Sequence, residues 1–188
     1  MAKGWKLTKE KWNLFKRQKE MEVLAERVYV ALASIPVHQR GNKEKRNGAY
    51  ITIQVEESEN VIELQLRYPP QLKQIRAYEK AKRCKDFMLW SSQVGEEKKS
   101  LSRGAIVFNE NHETEDLWLI TSTDGLDPNE DVVMSVILTA KLYNLTPVEL
   151  ANFYRERKQE EGVENEIIPK ELFQEGHYLR ELLLKFAT

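Results

Sequence analysis

Cysteine is nearly absent from this chain. Cys84 is the only one in 188 residues, so no internal disulfide framework can form and a cysteine-based zinc site lacks ligands. A reducing, cytoplasmic setting is the expectation. Long apolar runs are also missing. The longest, VVMSVILTAKLY at 132–143, falls well short of the roughly 20 residues that span a bilayer. The opening stretch MAKGWKLTKEKW lacks the apolar segment of a secretory signal, and no membrane partner is expected. Glycine is sparse and scattered, which excludes a glycine-rich phosphate loop. No convergent catalytic set stands out, so the sequence points away from an enzyme and implies no cofactor.

What is present is charge, unevenly placed. The total is −1, yet residues 1–46 carry 12 cations against 5 acids and residues 67–103 carry 10 against 4. Residues 104–188 reverse this, with 7 cations against 17 acids. Such a split is a recognised hint of a polyanion partner for the basic part. We expect a basic α+β region over 1–126 and an acidic helical part over 127–188, packed on one core.

Hydrophobic spacing predicts the elements. Met21, Leu24, Ala25, Val28, Ala31, Leu32 and Ile35 recur in steps of three and four, so a helix from about Thr8 to Ser34 is expected, stopped by Pro36. AYITIQV (49–55) and VIELQLR (61–67) alternate with period two around a polar turn, a β-hairpin with one wet face. A helix over about 71–90 follows. GAIVFN (104–109) and DLWLITS (116–122) form a second hairpin, more buried. Asp127-Pro128 and Thr146-Pro147 each open a helix, and a last helix is expected from Pro169 to about Phe186. The fold class is α+β, with a mostly antiparallel sheet and a helical C-terminal part.

The strongest candidate site is basic. HQRGNKEKRNG (38–48) holds Arg40, Lys43, Lys45 and Arg46 against one acid, Glu44. On the helix after the first hairpin, Lys73, Arg76, Lys80 and Arg83 line one narrow stripe. Clustered cations suit phosphates, whose neutralisation releases condensed counterions. Trp12, among lysines, and Tyr50, on the wet face of the hairpin, could stack on unpaired bases. A non-enzymatic nucleic-acid-binding subunit of a larger assembly is therefore expected, with RNA or single-stranded DNA favoured over duplex. Its acidic C-terminal part would dock a protein partner. The alternative is a protein–protein adaptor with charge-complementary ends, capable of self-association and needing no nucleic acid.

Weaker patterns are also present. Residues 137–158 allow a helix-turn-helix offering Asn152, Arg155, Arg157 and Lys158 to DNA, though the surrounding acidity opposes it. Glu63 and Gln65 sit two apart on a strand, as in some metal-dependent nucleases, but without the upstream aspartate such sites need. His112 lies among acids that could hold a divalent metal.

Overall fold

The computed structural model of the chain describes residues 14–40, 47–55, 61–87, 104–108, 119–161 and 168–187; the side chains of 14–15, 83–87 and 157–161 fall outside that description. Helix α1 (Leu14–Ala33) buries the predicted stripe, with Met21, Ala25, Val28 and Leu32 inside the core. It ends as predicted, where the Ser34 hydroxyl donates to the Ala31 carbonyl (2.7 Å) just before Pro36. The expected start at Thr8 lies outside the described residues.

Strands β1 (Gly48–Val55) and β2 (Val61–Arg67) pair antiparallel, with Ile51 opposite Leu64. Strands β3 (Ala105–Phe108) and β4 (Leu119–Asp124) form the second hairpin, with Ile106 opposite Thr121. β4 runs two residues further than its apolar pattern predicts, because Thr123 and Asp124 pair with Ile51 and Tyr50 of β1. That pairing joins the hairpins into one antiparallel sheet of order β2-β1-β4-β3.

Each face of the sheet has its own cover. Helix α2 (Gln71–Phe87) packs across β1, β4 and β3 on one side. Helix α1 lies against β2 on the other, next to α3 (Pro128–Tyr143), which packs on β3 and β4; α4 (Pro147–Glu161) and α5 (Tyr178–Lys185) pack behind α3. The double cover corrects one expectation. β1 is an interior strand, and Tyr50 and Thr52, predicted to face water, are buried beneath α2. Only edge strand β2 keeps a wet face, at Glu63, Gln65 and Arg67.

Helix α3 is buried nearly all round and starts on the predicted signal. The Asp127 carboxylate accepts from the Asn129 N–H (3.2 Å), and Glu130 reaches back to the Asp127 N–H (3.2 Å). The last helix is not continuous. A short 3-10 turn, Lys170–Phe173, is separated from the last helix by Gly176, whose φ of 72° lies in the left-handed region. His177 then caps α5, its Nδ1 accepting from the Leu179 N–H (3.3 Å). Val28, Ile53, Phe108, Val133 and Leu183 belong to one hydrophobic core.

Candidate functional site

Helix α2 turns Lys73 and Lys80 of its basic stripe toward the sheet, not toward water. Lys80 is 2% exposed, while Leu72 and Ile75 on the outer side are 50% and 48% exposed. The cause is the chemistry of the strand face below. By the pairing register, Tyr50 and Thr52 of β1 share that face with Ser122 and Asp124 of β4. Ala77 and Ala81, both buried, let the α2 backbone approach closely, and lysines beside them meet the acids.

The result is a buried charge cluster. Lys80 Nζ lies 2.7 Å from Asp124 Oδ1 and 3.3 Å from Asp131 Oδ2, and donates to the Thr123 carbonyl (3.0 Å). Lys73 Nζ stands 3.4 Å from Asp124 Oδ2, and the Leu126 N–H donates to Asp131 Oδ1 (3.0 Å). Gly104 roofs the cluster at a φ of 114°. A Cβ there would collide with the Thr123 carbonyl and stand 2.9 Å from Lys80 Nζ. Burial pushes the Asp131 carboxyl up to about 7, opposed by Lys80 and reinforced by Asp124. The cluster ties α2, β4 and the start of α3 together.

A second group gathers around Glu63. The hydroxyls of Tyr50 and Tyr78 both donate to its carboxylate, and Gln74 Nε2 donates to the Tyr50 oxygen (3.0 Å). Burial and then the bond to Glu63 raise both phenols, Tyr78 to about 12. Glu63, whose spacing from Gln65 resembles that of a nuclease acid, is thus held by two tyrosines. Among the described residues no group of three or more His, Cys, Asp or Glu side chains could hold a metal; His112 lies outside them.

The predicted site residues can now be placed. Arg40 makes a two-pronged ion pair with the fully buried Glu130, Nε and Nη2 each 2.7 Å from a carboxylate oxygen. Tyr178 adds a bond to the same carboxylate (3.3 Å). Lys73 and Lys80 share Asp124, and Tyr50 binds Glu63. Arg76 is half-buried on α2. Trp12, Lys43, Lys45 and Arg46, and the side chain of Arg83, lie outside the described residues. The structure brings Lys73 and Lys80 together over an acid, not over a surface. In the helix-turn-helix stretch, Arg155 stacks over the Phe173 ring, 4.5 Å from its centroid.

Sequence reasoning missed the acids that bind these cations. Asp124 closes the polar run TSTD, and Asp131 follows the helix cap. The available signal was the pair Ala77 and Ala81 on the lysine side of α2, the mark of close helix–sheet approach.

The α1 side of the molecule carries two grooves. A groove of about 390 Å³ runs between α1, the end of α3 and α5, over Leu24, Ile137 and Phe186, with Lys19, Arg27 and Lys185 among its lining residues. A second, of about 470 Å³, lies between α1 and β2. Val23 lines both and is 51% exposed; Val30, one heptad on, is 48% exposed. Among the described residues no helix is long and apolar enough to cross a membrane. No known protein family, curated protein or solved structure matches this chain.

Proposed function

We propose that the chain is a non-enzymatic, cytoplasmic protein-interaction subunit, an adaptor whose contact surface is the α1–β2 side. One observation carries this reading. Three of the four cations of the predicted phosphate-binding site whose side chains are described, Arg40, Lys73 and Lys80, are committed to internal acids, whereas the α1–β2 side leaves Val23, Val30 and two grooves open. A docking surface sets apolar side chains at its centre and polar ones at its rim.

A nucleic-acid reading keeps one specific support. The Arg40–Glu130 clamp pins the chain where the run holding Lys43, Lys45 and Arg46 begins. In this second reading that run contacts phosphates of RNA or single-stranded DNA, with Arg76 as an additional cation.

One experiment separates the two. Labelled RNA, single-stranded DNA and duplex DNA are titrated with the purified chain at two salt concentrations, beside a sedimentation run without nucleic acid. The adaptor reading expects protein association and no nucleic-acid binding. Steeply salt-dependent binding to one nucleic acid, lost when Lys43, Lys45 and Arg46 are neutralised together, would establish the second reading instead.

A further inference from the structure

The two edges of the sheet are finished differently. At the β3 edge, the Val107 carbonyl accepts from the Tyr154 hydroxyl, so α4 closes the strand. At the β2 edge, the ladder itself shows which groups are free. The Tyr68 N–H donates to the Asn47 carbonyl (3.1 Å), which makes 47 and 68 a bonded pair. Antiparallel alternation then makes 49 with 66, 51 with 64 and 53 with 62 the bonded pairs. The N–H and C=O groups of Glu63 and Gln65 therefore point outward, away from β1. None of the described residues takes them. Helix α1 stands beside this edge without covering it, and the groove of about 470 Å³ between them has Val23 on one wall and Leu64 and Leu66 on the other.

We propose that β2 is the pairing edge of a symmetric dimer: two copies join β2 to β2, antiparallel, about a two-fold axis at Leu64. The inference rests on the adaptor reading and names its partner as a second copy of this chain.

The strand is self-complementary in this register. β2 is seven residues long and Leu64 is its centre, so Ile62 pairs with the partner's Leu66, and Arg67, at a φ of 61°, leaves the extended strand and ends the pairing. Glu63 and Gln65 then lie opposite the partner's Gln65 and the partner's Glu63. Their outward backbone groups become the bonded pairs, as the parity above requires. No glutamate stands directly opposite another, whereas an axis at position 63 would set glutamate against glutamate. On the other face Leu64 meets the partner's Leu64, and the apolar layer continues from one sheet into the next. Such an interface is isologous and closes at two copies. An open edge of this kind otherwise needs protection.

The test uses the full chain. Sedimentation across a concentration series gives the mass, and amide hydrogen exchange reads Glu63 and Gln65. The expected result is a doubling of mass with concentration, accompanied by protection of those two amides. Gln65→Pro removes an outward N–H that makes no bond to β1, so a folded chain tolerates it at an edge; it should abolish the dimer. Charge variants guard against misfolding. Gln65→Glu sets like charges opposite each other twice per dimer and should weaken it roughly fivefold, while Gln65→Lys should tighten it by a similar factor.

A monomer at the highest soluble concentration overturns the proposal. So does a dimer indifferent to these variants with both amides unprotected, although the adaptor reading then survives. A monomer whose Glu63 and Gln65 amides become protected only on adding a foreign extended peptide overturns self-pairing and makes the edge a peptide site.

Discussion

The two faces of the sheet are built from the same strands by opposite means. On the α3 side, Ile51, Ile53, Ile62, Leu64, Ile106 and Phe108 pack as an apolar layer, and the few hydroxyls are matched, Thr139 to Thr121 (2.8 Å) and Thr123 to Ser135 (2.8 Å). On the α2 side, Thr52, Ser122 and Asp124 are just as buried, and the helix above answers with Lys80 rather than leucines. One face is held by removing apolar area from water. The other is held by charges that stabilise only as a complete set, since desolvating an ion costs several kcal/mol unless it is paired. The first kind of face loses stability in proportion to what is cut away. The second fails as a unit.

The largest expected effect follows from that difference. Lys80→Met leaves Asp124 with only the more distant Lys73 and leaves Asp131 with no cation partner, and should cost about 3–5 kcal/mol. Urea unfolding measures it. The cost should grow with pH. The folded Asp131 carboxyl titrates at about 7, above its ordinary 3.8, so between those values the native state holds a proton that the unfolded chain releases. This group's contribution is therefore fully present below about pH 4 and is lost as pH rises toward 7. Removing Lys80 raises that carboxyl further and extends the loss to higher pH, so the gap between variant and parent should be wider at about pH 8 than at about pH 5. Replacing the acids as well, in Lys80→Met/Asp124→Asn/Asp131→Leu, should recover most of the loss. A triple variant no better than Lys80→Met would show that the cluster does not act as a unit.

The apolar face gives the contrasting case. Ile53→Ala, at a fully buried position, should cost roughly 3 kcal/mol through lost transfer energy and a cavity. The cost should be nearly independent of pH between about 5 and 8, because no titratable group lies in the layer it opens. Measured beside Lys80→Met, it separates packing loss from charge loss.

Local signals made much of the fold legible. The period-two runs placed β1 and β2 within a residue, and Asp127-Pro128 located the start of α3. What escaped is non-local. Nothing near residues 50 or 124 announces that β1 and β4 pair, and that pairing buries Tyr50 and stretches β4 to Asp124. The orientation of α2 is hidden from the sequence for the same reason. Lys73, Arg76, Lys80 and Arg83 do fall on one stripe, but which way the stripe faces depends on acids that lie 44 to 51 residues beyond Lys80 in the chain. A buried lysine reads as a surface lysine until its counter-ions are found. The break in the last helix had a local signal, Gly176 followed by His177, that the leucine spacing on either side outweighed.

The smallest effect tests the comparison most directly, because one substitution is made on both faces. Thr→Val keeps the shape and removes a hydroxyl. On the α3 side, Thr121 Oγ1 bonds to Thr139 Oγ1; Thr121→Val leaves that partner buried without its acceptor and should cost about 1–2 kcal/mol. On the α2 side, Thr52 is 0% exposed and its Oγ1 has no hydrogen-bond partner among the described residues. Thr52→Val therefore removes a desolvated hydroxyl with nothing to lose, and valine suits a strand at least as well. It should be neutral or stabilise by about 1 kcal/mol. Opposite signs for one chemical change would show that the polar face carries more buried polarity than its own bonds require. A loss at Thr52 equal to that at Thr121 would show instead that its hydroxyl is engaged, and that the α2 face is as fully matched as the other.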